Sequence, residues 1–226
     1  MIVECVGAPG SGKTTTLDAF YKANSGDFAR LRPKVYVNKN VFEGAIERCH
    51  LEIICEYARL SYSGGSEAKE KNVNYARFER LIAKLHESAH WSTLGGVVLD
   101  DEGLFKQFPV TMLAYLNSKG LARDECLKNR AFIIFDTEPA YQAEMIKTRK
   151  GGRAWSRKKR ALLEEEFVRG LPDRINKYIQ KRAIWRDLKA QFVERGVPHV
   201  VVDPARGVAF NAEAIGKFIS EVSGSS

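Results

Sequence analysis

An eight-residue stretch near the start of the chain reads Gly7-Ala8-Pro9-Gly10-Ser11-Gly12-Lys13-Thr14. It matches the pattern G-x-x-x-x-G-K-[ST] at every defined position. An apolar run at residues 2–6 precedes it and predicts a short buried strand, and residues 14–23 have the apolar spacing of a helix. A strand, a glycine-rich turn and a helix in this order predict a phosphate-binding loop.

The residue types of this stretch suit a phosphate ligand. Gly7, Gly10 and Gly12 permit backbone conformations that turn successive N–H groups inward, and the following helix directs its positive end at the same anion. We expect Lys13 to be exposed at the loop and to reach the β- and γ-phosphates, and the Thr14 hydroxyl to bind Mg²⁺. The predicted ligands are therefore ATP and Mg²⁺. The loop residues predicted to bind the nucleotide are Gly7, Ala8, Pro9, Gly10, Ser11, Gly12, Lys13, Thr14 and Thr15.

Apolar runs alternate with amphipathic stretches along the rest of the chain. The predicted strands are residues 2–6, 34–37, 97–99, 131–135 and 199–202. The predicted helices are residues 14–23, 41–62, 72–91, 105–117, 159–195 and 213–222, with a further helix starting at 137, a loop at 63–71 and a break near Gly170. This alternation predicts an α/β fold, a parallel sheet covered on both faces by helices. With 226 residues and no repeat or linker, the chain is expected to form a single domain, residues 1–226.

The composition excludes several classes of protein. Hydrophobic residues make up 44% of the chain and charged residues 28%, which is typical of soluble globular proteins. No apolar run approaches the roughly 18–20 residues that span a bilayer. The apolar start runs directly into the glycine-rich loop, so it is not expected to be a removable signal peptide. We expect a cytoplasmic protein without a membrane partner.

Cysteines and histidines are scattered along the chain. Cys5, Cys49, Cys55 and Cys126 contain no C-x-x-C pair, and the histidines form no cluster typical of metal ligands. The spacing therefore predicts buried, reduced thiols rather than a metal centre or disulfides.

Three carboxylates follow the third predicted strand, at Asp100, Asp101 and Glu102. Ligands of open α/β sheets bind at the carboxyl ends of the strands. A phosphate-loop enzyme needs a carboxylate there to hold Mg²⁺, for which Asp100 is predicted, and a phosphotransferase can need a base for the acceptor hydroxyl. Asp101 is the first choice for this base and Glu102 the second, although acids also suit a solvated turn that caps a helix. The assignment among the three carboxylates stays open.

A basic segment at residues 147–160 contains eight Lys or Arg side chains and no acid. Guanidinium groups that close over a transferring phosphoryl group stabilise its charge, and Gly151 and Gly152 supply a hinge for such a movement. We therefore predict a mobile, arginine-rich lid in which Arg149 and Arg153 are catalytic. The net charge of +8 leaves a nucleic-acid-binding surface as the alternative.

Together these stretches resemble the P-loop kinases of nucleosides, nucleotides and other small molecules, especially the thymidylate-kinase-like branch. The resemblance implies a P-loop NTPase three-layer sandwich with a five-stranded parallel sheet in the order 2-3-1-4-5. It also implies an arginine-bearing lid and an adenine that packs against residues 204–208, which makes Arg206 and Gly207 nucleotide-binding residues. The chain departs from thymidylate kinases at Pro9-Gly10, where they usually carry Asp-Gly, and at residues 100–103, where they usually carry an Asp-Arg pair. These departures leave the acceptor open.

The leading hypothesis is a kinase that uses ATP and Mg²⁺ to phosphorylate a small-molecule acceptor such as a nucleoside, a nucleotide, a sugar or a related metabolite. The alternative is a 5′-hydroxyl polynucleotide kinase or another nucleic-acid-acting P-loop ATPase, which the net charge accommodates. A guanine-nucleotide switch is disfavoured because no Asn-Lys-x-Asp element lies late in the chain. The sequence leaves a homodimer open.

Overall fold

The computed structural model describes residues 1–7, 10–24, 47–62, 68–93, 96–119, 125–142, 144–145 and 169–224. Within these ranges one parallel sheet contains β1 (Ile2–Gly7), β2 (Val98–Asp100), β3 (Arg130–Phe135) and β4 (His199–Val202), in the spatial order β2-β1-β3-β4. Glu4 of β1 lies opposite Asp100 on one side and Phe132 on the other. The predicted α/β fold with a parallel sheet is confirmed.

The sheet differs from the predicted one in its number of strands. The sequence predicts five strands, for which the family resemblance implies the order 2-3-1-4-5, whereas the described residues form four. The predicted second strand, residues 34–37, lies outside the described residues. The four described strands, in the order β2-β1-β3-β4, correspond to predicted strands 3, 1, 4 and 5. The observed order therefore differs from the predicted one in that strand 2 is not part of it.

The described helices are α1 (Lys13–Ala23), α2 (Arg48–Tyr62), α3 (Ala68–Thr93), α4 (Leu104–Gln107), α5 (Pro109–Ser118), α6 (Leu171–Glu194) and α7 (Val208–Gly224). Short 3₁₀ turns occupy Glu125–Leu127 and Pro204–Arg206. No helix of the described ranges is both long and apolar enough to cross a bilayer.

Helices pack on both faces of the sheet because its strands are apolar on both faces. In β3, Phe132 and Ile134 belong to a core formed with α2, α5 and α6, and Phe132 stacks on Phe192 of α6 with ring centroids 4.0 Å apart. Ala131 and Ile133 point the other way and join a second core with α1 and α7. Successive side chains of a strand alternate between its faces, so one apolar run supplies both cores.

Three helix boundaries differ from the prediction. The single helix predicted for residues 105–117 is two helices, because Pro109 cannot donate to the preceding turn and therefore starts α5. The loop predicted for residues 63–71 already contains the start of α3 at Ala68, where Ala-Lys-Glu-Lys are strong helix formers. The last helix starts at Val208 rather than at residue 213.

The cysteines are free thiols, as the sequence predicts. Cys5, Cys49 and Cys126 are buried. Cys55 is exposed on α2, contrary to the expectation that all of the thiols are buried.

Candidate functional site

The predicted phosphate loop lies at the carboxyl end of β1, in the centre of the sheet. Gly7, Gly10 and Gly12 have φ angles of 138°, 82° and 78°, a region that residues with a side chain rarely adopt. Gly7 also lies against β3, and a Cβ atom there would be 2.7 Å from the carbonyl oxygen of Phe135. The loop therefore needs glycine at these positions. Ala8 and Pro9, also predicted to bind the nucleotide, lie outside the described residues.

The Lys13 ammonium group is held inside this loop. Its Nζ atom donates to the Gly7 carbonyl oxygen at 2.7 Å and to Ser11 Oγ at 3.0 Å. Lys13 is only 9% exposed, so the expectation of an exposed lysine is wrong. Burial, followed by the like charge of Lys106, lowers the pKa of Lys13 to about 8. A bound polyanion would offset both effects.

The start of α1 is suited to an anion. Its N-cap residue, Gly12, has no side chain that could accept from the first N–H groups, and the first turn contains no acidic residue. Thr14 and Thr15, predicted to bind Mg²⁺ and the nucleotide respectively, are exposed in this turn. The positive end of the helix dipole is therefore not offset by a carboxylate of the same turn.

The three predicted carboxylates lie together after β2 but have different surroundings. Asp100 is 6% exposed, and its Oδ1 atom accepts from the Glu102 backbone N–H at 3.0 Å. Glu102 is exposed and forms an ion pair with Lys106. The Asp101 carboxylate makes no hydrogen bond within the described part of the chain. Its charge acts on both Lys13 and Cys5, which indicates that Asp101 lies close to the phosphate loop.

Two charged residues that were not predicted complete this site. Lys106 pairs with Glu102, and its Nζ atom also donates to the Asp101 carbonyl oxygen at 2.7 Å. Glu4 is fully buried in β1, where its Oε1 atom accepts from the Lys106 backbone N–H at 3.0 Å. The sequence contains a signal for each: Lys106 follows Glu102 by one helical turn, and Glu4 interrupts an apolar strand.

Glu4 is balanced by a buried arginine. Arg130 Nη1 lies 3.1 Å from Glu4 Oε2, and the Arg130 side chain also donates to the Cys126 carbonyl oxygen at 2.7 Å and to Ser88 Oγ. Burial raises the pKa of Glu4 to about 7, against the lowering effect of Arg130. Because Glu4 also accepts from the first turn of α4, the pair ties the acidic turn to the middle of the sheet.

Gly103→Ala is expected to reduce the free energy of unfolding by about 1–3 kcal/mol through overpacking. A Cβ atom at Gly103 would lie 2.3 Å from Glu4 Cδ, and Glu4 is held by its buried partners. Gly216→Ala is the control, because its Cβ meets Phe20 at an ordinary 3.7 Å and alanine favours a helix. Urea unfolding of both variants measures the difference. An equal effect of the two substitutions would contradict the close contact.

The loop after β4 lies next to the phosphate loop. A Cβ atom at Gly12 would be 3.5 Å from Pro204 Cβ. Arg206 is exposed, its guanidinium lies 4.0 Å from the Phe210 ring centroid, and Gly207 has a φ of 95°. The structure therefore brings the predicted adenine-binding segment beside the predicted phosphate-binding one.

A cavity of about 530 Å³ opens beyond β3, at the same edge of the sheet as the phosphate loop. Arg182 of α6 crosses it and pairs with Asp136 and Glu138, each at 2.8 Å. Arg186 and Lys189 line it from successive turns of α6. The cavity has room for a small molecule, and three of the residues that line it are basic, of which Arg182 and Arg186 are paired with acids. Arg149 and Arg153, the predicted catalytic arginines, lie outside the described residues, as does the whole segment 147–160.

Comparison with known protein families and with curated proteins finds no match. Among solved structures, deoxyadenosine kinase from M. mycoides with bound dATP is 17% identical, with a TM-score of 0.48 over 97% of this chain and 100% of that chain. The same kinase with bound dCTP is 16% identical, with a TM-score of 0.46 over 98% of this chain and 100% of that chain. Both structures are of a nucleoside kinase. The thymidylate-kinase-like branch stays a prediction.

Proposed function

We propose that this protein is a phosphotransferase that uses ATP and Mg²⁺ to phosphorylate a small-molecule acceptor. The observation that carries the proposal is the Lys13 ammonium group, which is held inside the glycine loop by Gly7 and Ser11 and lies beside an acidic turn. A desolvated cation in a glycine-rich loop at the start of a helix suits the phosphates of a nucleotide.

The oxygen donors of the site fit a hard divalent cation. The Thr14 hydroxyl is exposed on the first turn of α1, and the Asp100 carboxylate ends the neighbouring strand. Oxygen ligands of this kind are those that Mg²⁺ prefers. When bound, Mg²⁺ neutralises phosphate charge, and Thr14 and Asp100 are the residues proposed to hold it.

Asp101 is proposed as the base that accepts the proton of the acceptor hydroxyl. Asp100 accepts a hydrogen bond in its own turn and is the proposed Mg²⁺ ligand, and Glu102 is paired with Lys106, so both carboxylates have other roles. Asp101 is half-buried, near Lys13, and makes no side-chain hydrogen bond among the described residues. Its carboxylate is therefore the one best able to take up a proton beside the phosphates.

Asp101→Asn is expected to slow the chemical step by about 10²-fold or more with little change in ATP affinity, because the amide cannot act as a base. Single-turnover rates and nucleotide binding measure the two effects. Glu102→Gln is the matched control and should retain most of the rate. If Asp101→Asn is near wild type while Asp100→Asn or Glu102→Gln is inactive, the role belongs to that neighbour. If none of the three substitutions changes the rate, the carboxylates of this turn have a structural role.

The remaining parts of the proposal rest on the sequence. A fifth strand at residues 34–37 would complete the sheet of a P-loop kinase domain spanning residues 1–226, and residues 147–160 would form its lid, with Arg149 and Arg153 over the phosphates. Arg206 and Gly207 are proposed to contact adenine. The proximity of Pro204 to Gly12 supports this last assignment.

Consumption of ATP in the presence of panels of nucleosides, nucleotides, sugars and 5′-hydroxyl oligonucleotides tests the function. We expect Mg²⁺-dependent turnover with one class of small molecule and none with oligonucleotides. Phosphorylation of an oligonucleotide end would favour the polynucleotide kinase instead. Failure to bind ATP at all would overturn both.

A further inference from the structure

A second cluster of reactive side chains lies at the start of α2, near the amino-terminal edge of the sheet and away from the phosphate loop. A carboxylate oxygen of Glu47, the Cys49 thiol and a ring nitrogen of His50 lie within 4.8 Å of one another. Cys49 Sγ already donates to Glu47 Oε2 at 3.5 Å. Neither the spacing of the cysteines nor that of the histidines predicts this cluster, because its ligand types are mixed.

The three ligand types are those of zinc sites. Zn²⁺ binds a thiolate at about 2.3 Å and imidazole nitrogen or carboxylate oxygen at about 2.0–2.2 Å, usually in a tetrahedron. Tetrahedral ligands at these distances are about 3.5 Å apart, close to the separation of Cys49 and Glu47. The separations that involve the His50 ring are at most 4.8 Å, so side-chain rotations that shorten them by about 1 Å would bring all three ligands onto one ion.

The backbone holds the three residues in position. The Glu47 carbonyl oxygen accepts from the backbone N–H groups of His50 at 3.0 Å and of Leu51 at 3.4 Å, so Glu47 caps the first turn of α2. Cys49 is 3% exposed and His50 6%, and Glu47 is exposed. Two ligands are thus fixed by packing, and the third provides an entry path from solvent.

The cluster also opens on a cavity of about 330 Å³. Glu47 and His50 line it, together with Glu125, Lys128 and Arg130. Arg130 pairs with Glu4 at 3.1 Å, and the acids Glu47 and Glu125 balance the bases Lys128 and Arg130 in the lining of the cavity. The cavity has room for a water molecule as a fourth ligand.

We propose that Glu47, Cys49 and His50 bind one Zn²⁺ ion, with a fourth coordination position open to the cavity. On binding, the Cys49 thiol gives up its proton to solvent and a zinc–sulfur bond forms, while His50 binds through a neutral ring nitrogen. The site is independent of phosphoryl transfer. It would hold the side chains of the first turn of α2 together.

Co²⁺ is the spectroscopic probe, added to the full-length, metal-free protein and then displaced by Zn²⁺. We expect one equivalent to produce an intense near-ultraviolet thiolate-to-cobalt absorption, which Zn²⁺ removes. Co²⁺ bound to oxygen ligands at Thr14 and Asp100 would not give this band. Zn²⁺ should also raise the thermal unfolding midpoint, because it binds the folded state preferentially.

Cys49→Ser should abolish the band, and His50→Gln should weaken Zn²⁺ binding by at least about 100-fold, since loss of even an outer partner can cost 10–100-fold. Cys55→Ser is the matched control, because Cys55 is an exposed thiol on the same helix, and it should retain the band. Circular dichroism checks the fold of each variant. The absence of the band in the wild-type protein, or its loss in Cys55→Ser alone, would overturn the proposal even if Cys49→Ser fails to fold.

Discussion

Lys13→Ala is expected to reduce phosphoryl transfer by at least about 10³-fold, because it removes the cation that lies in the phosphate loop. Lys22→Ala is the control, since Lys22 is an exposed residue in the last turn of the same helix and should leave turnover unchanged. Initial rates at saturating ATP measure the effect. Turnover near the wild-type level in a folded Lys13→Ala variant would overturn the assignment of the loop.

Removing the charge at position 13 should raise the free energy of unfolding even though it lowers activity. Burial lowers the pKa of Lys13 from 10.5 to about 8, which corresponds to a cost of about 3 kcal/mol for holding the charged form in the folded state. Lys13→Met keeps the aliphatic chain and removes the charge, so at pH 7 it should be at least as stable as wild type while it loses activity.

The pH dependence of unfolding has a defined sign. Between pH 8 and 10.5 the unfolded chain holds a proton on Lys13 that the folded protein has released, so the wild-type free energy of unfolding should rise with pH in this window. Lys13→Met should lack this contribution. Saturating nucleotide should raise the pKa of Lys13 and flatten the wild-type slope near pH 8.

Arg153→Ala is expected to reduce turnover by about 10²–10³-fold, because a guanidinium that closes over the transferring phosphoryl group stabilises its charge. Lys158→Ala, which removes a charge from the same segment, is the control and should have a small effect. Oligonucleotide binding should be weak and should fade between low and physiological salt, as non-specific phosphate contacts do.

The nucleic-acid alternative makes the reverse prediction for this segment. Each Lys or Arg removed from residues 147–160 should then weaken oligonucleotide binding by a similar factor, with a steep dependence on salt. Turnover of the Arg153→Ala variant should then stay close to the wild-type rate. Nanomolar oligonucleotide affinity at physiological salt together with such turnover would exclude the lid.

The strand, glycine-rich loop and helix at the start of the chain could be predicted from the sequence because their geometry is local. Residues 7–14 carry both the backbone freedom and the cation, and the flanking apolar run and amphipathic stretch define a strand and a helix. The other three described strands were predicted to within a residue or so for the same reason, since a buried parallel strand is a continuous apolar run. The break at Pro109 was missed because the apolar spacing continues across it.

The different surroundings of Asp100, Asp101 and Glu102 depend on residues distant in the chain. Lys106 occupies Glu102, and the backbone of Lys106 is fixed by Glu4, which Arg130 balances from a third strand. Glu4 stands out locally because it interrupts an apolar strand, and Lys106 because it follows Glu102 by four residues, but no local pattern shows that Glu4, Lys106 and Arg130 meet.

By itself the sequence determined the class of fold and the positions of the glycine-rich loop and of the acidic turn, because each depends on neighbours within a few residues. The tertiary structure alone decided that Lys13 is buried, that Pro204 lies beside Gly12 and that a buried Glu4–Arg130 pair supports the acidic turn. These features depend on which strands become neighbours in the sheet. Pairing brings together residues more than a hundred positions apart, and their burial changes the electrostatics of each in a way that no local pattern records.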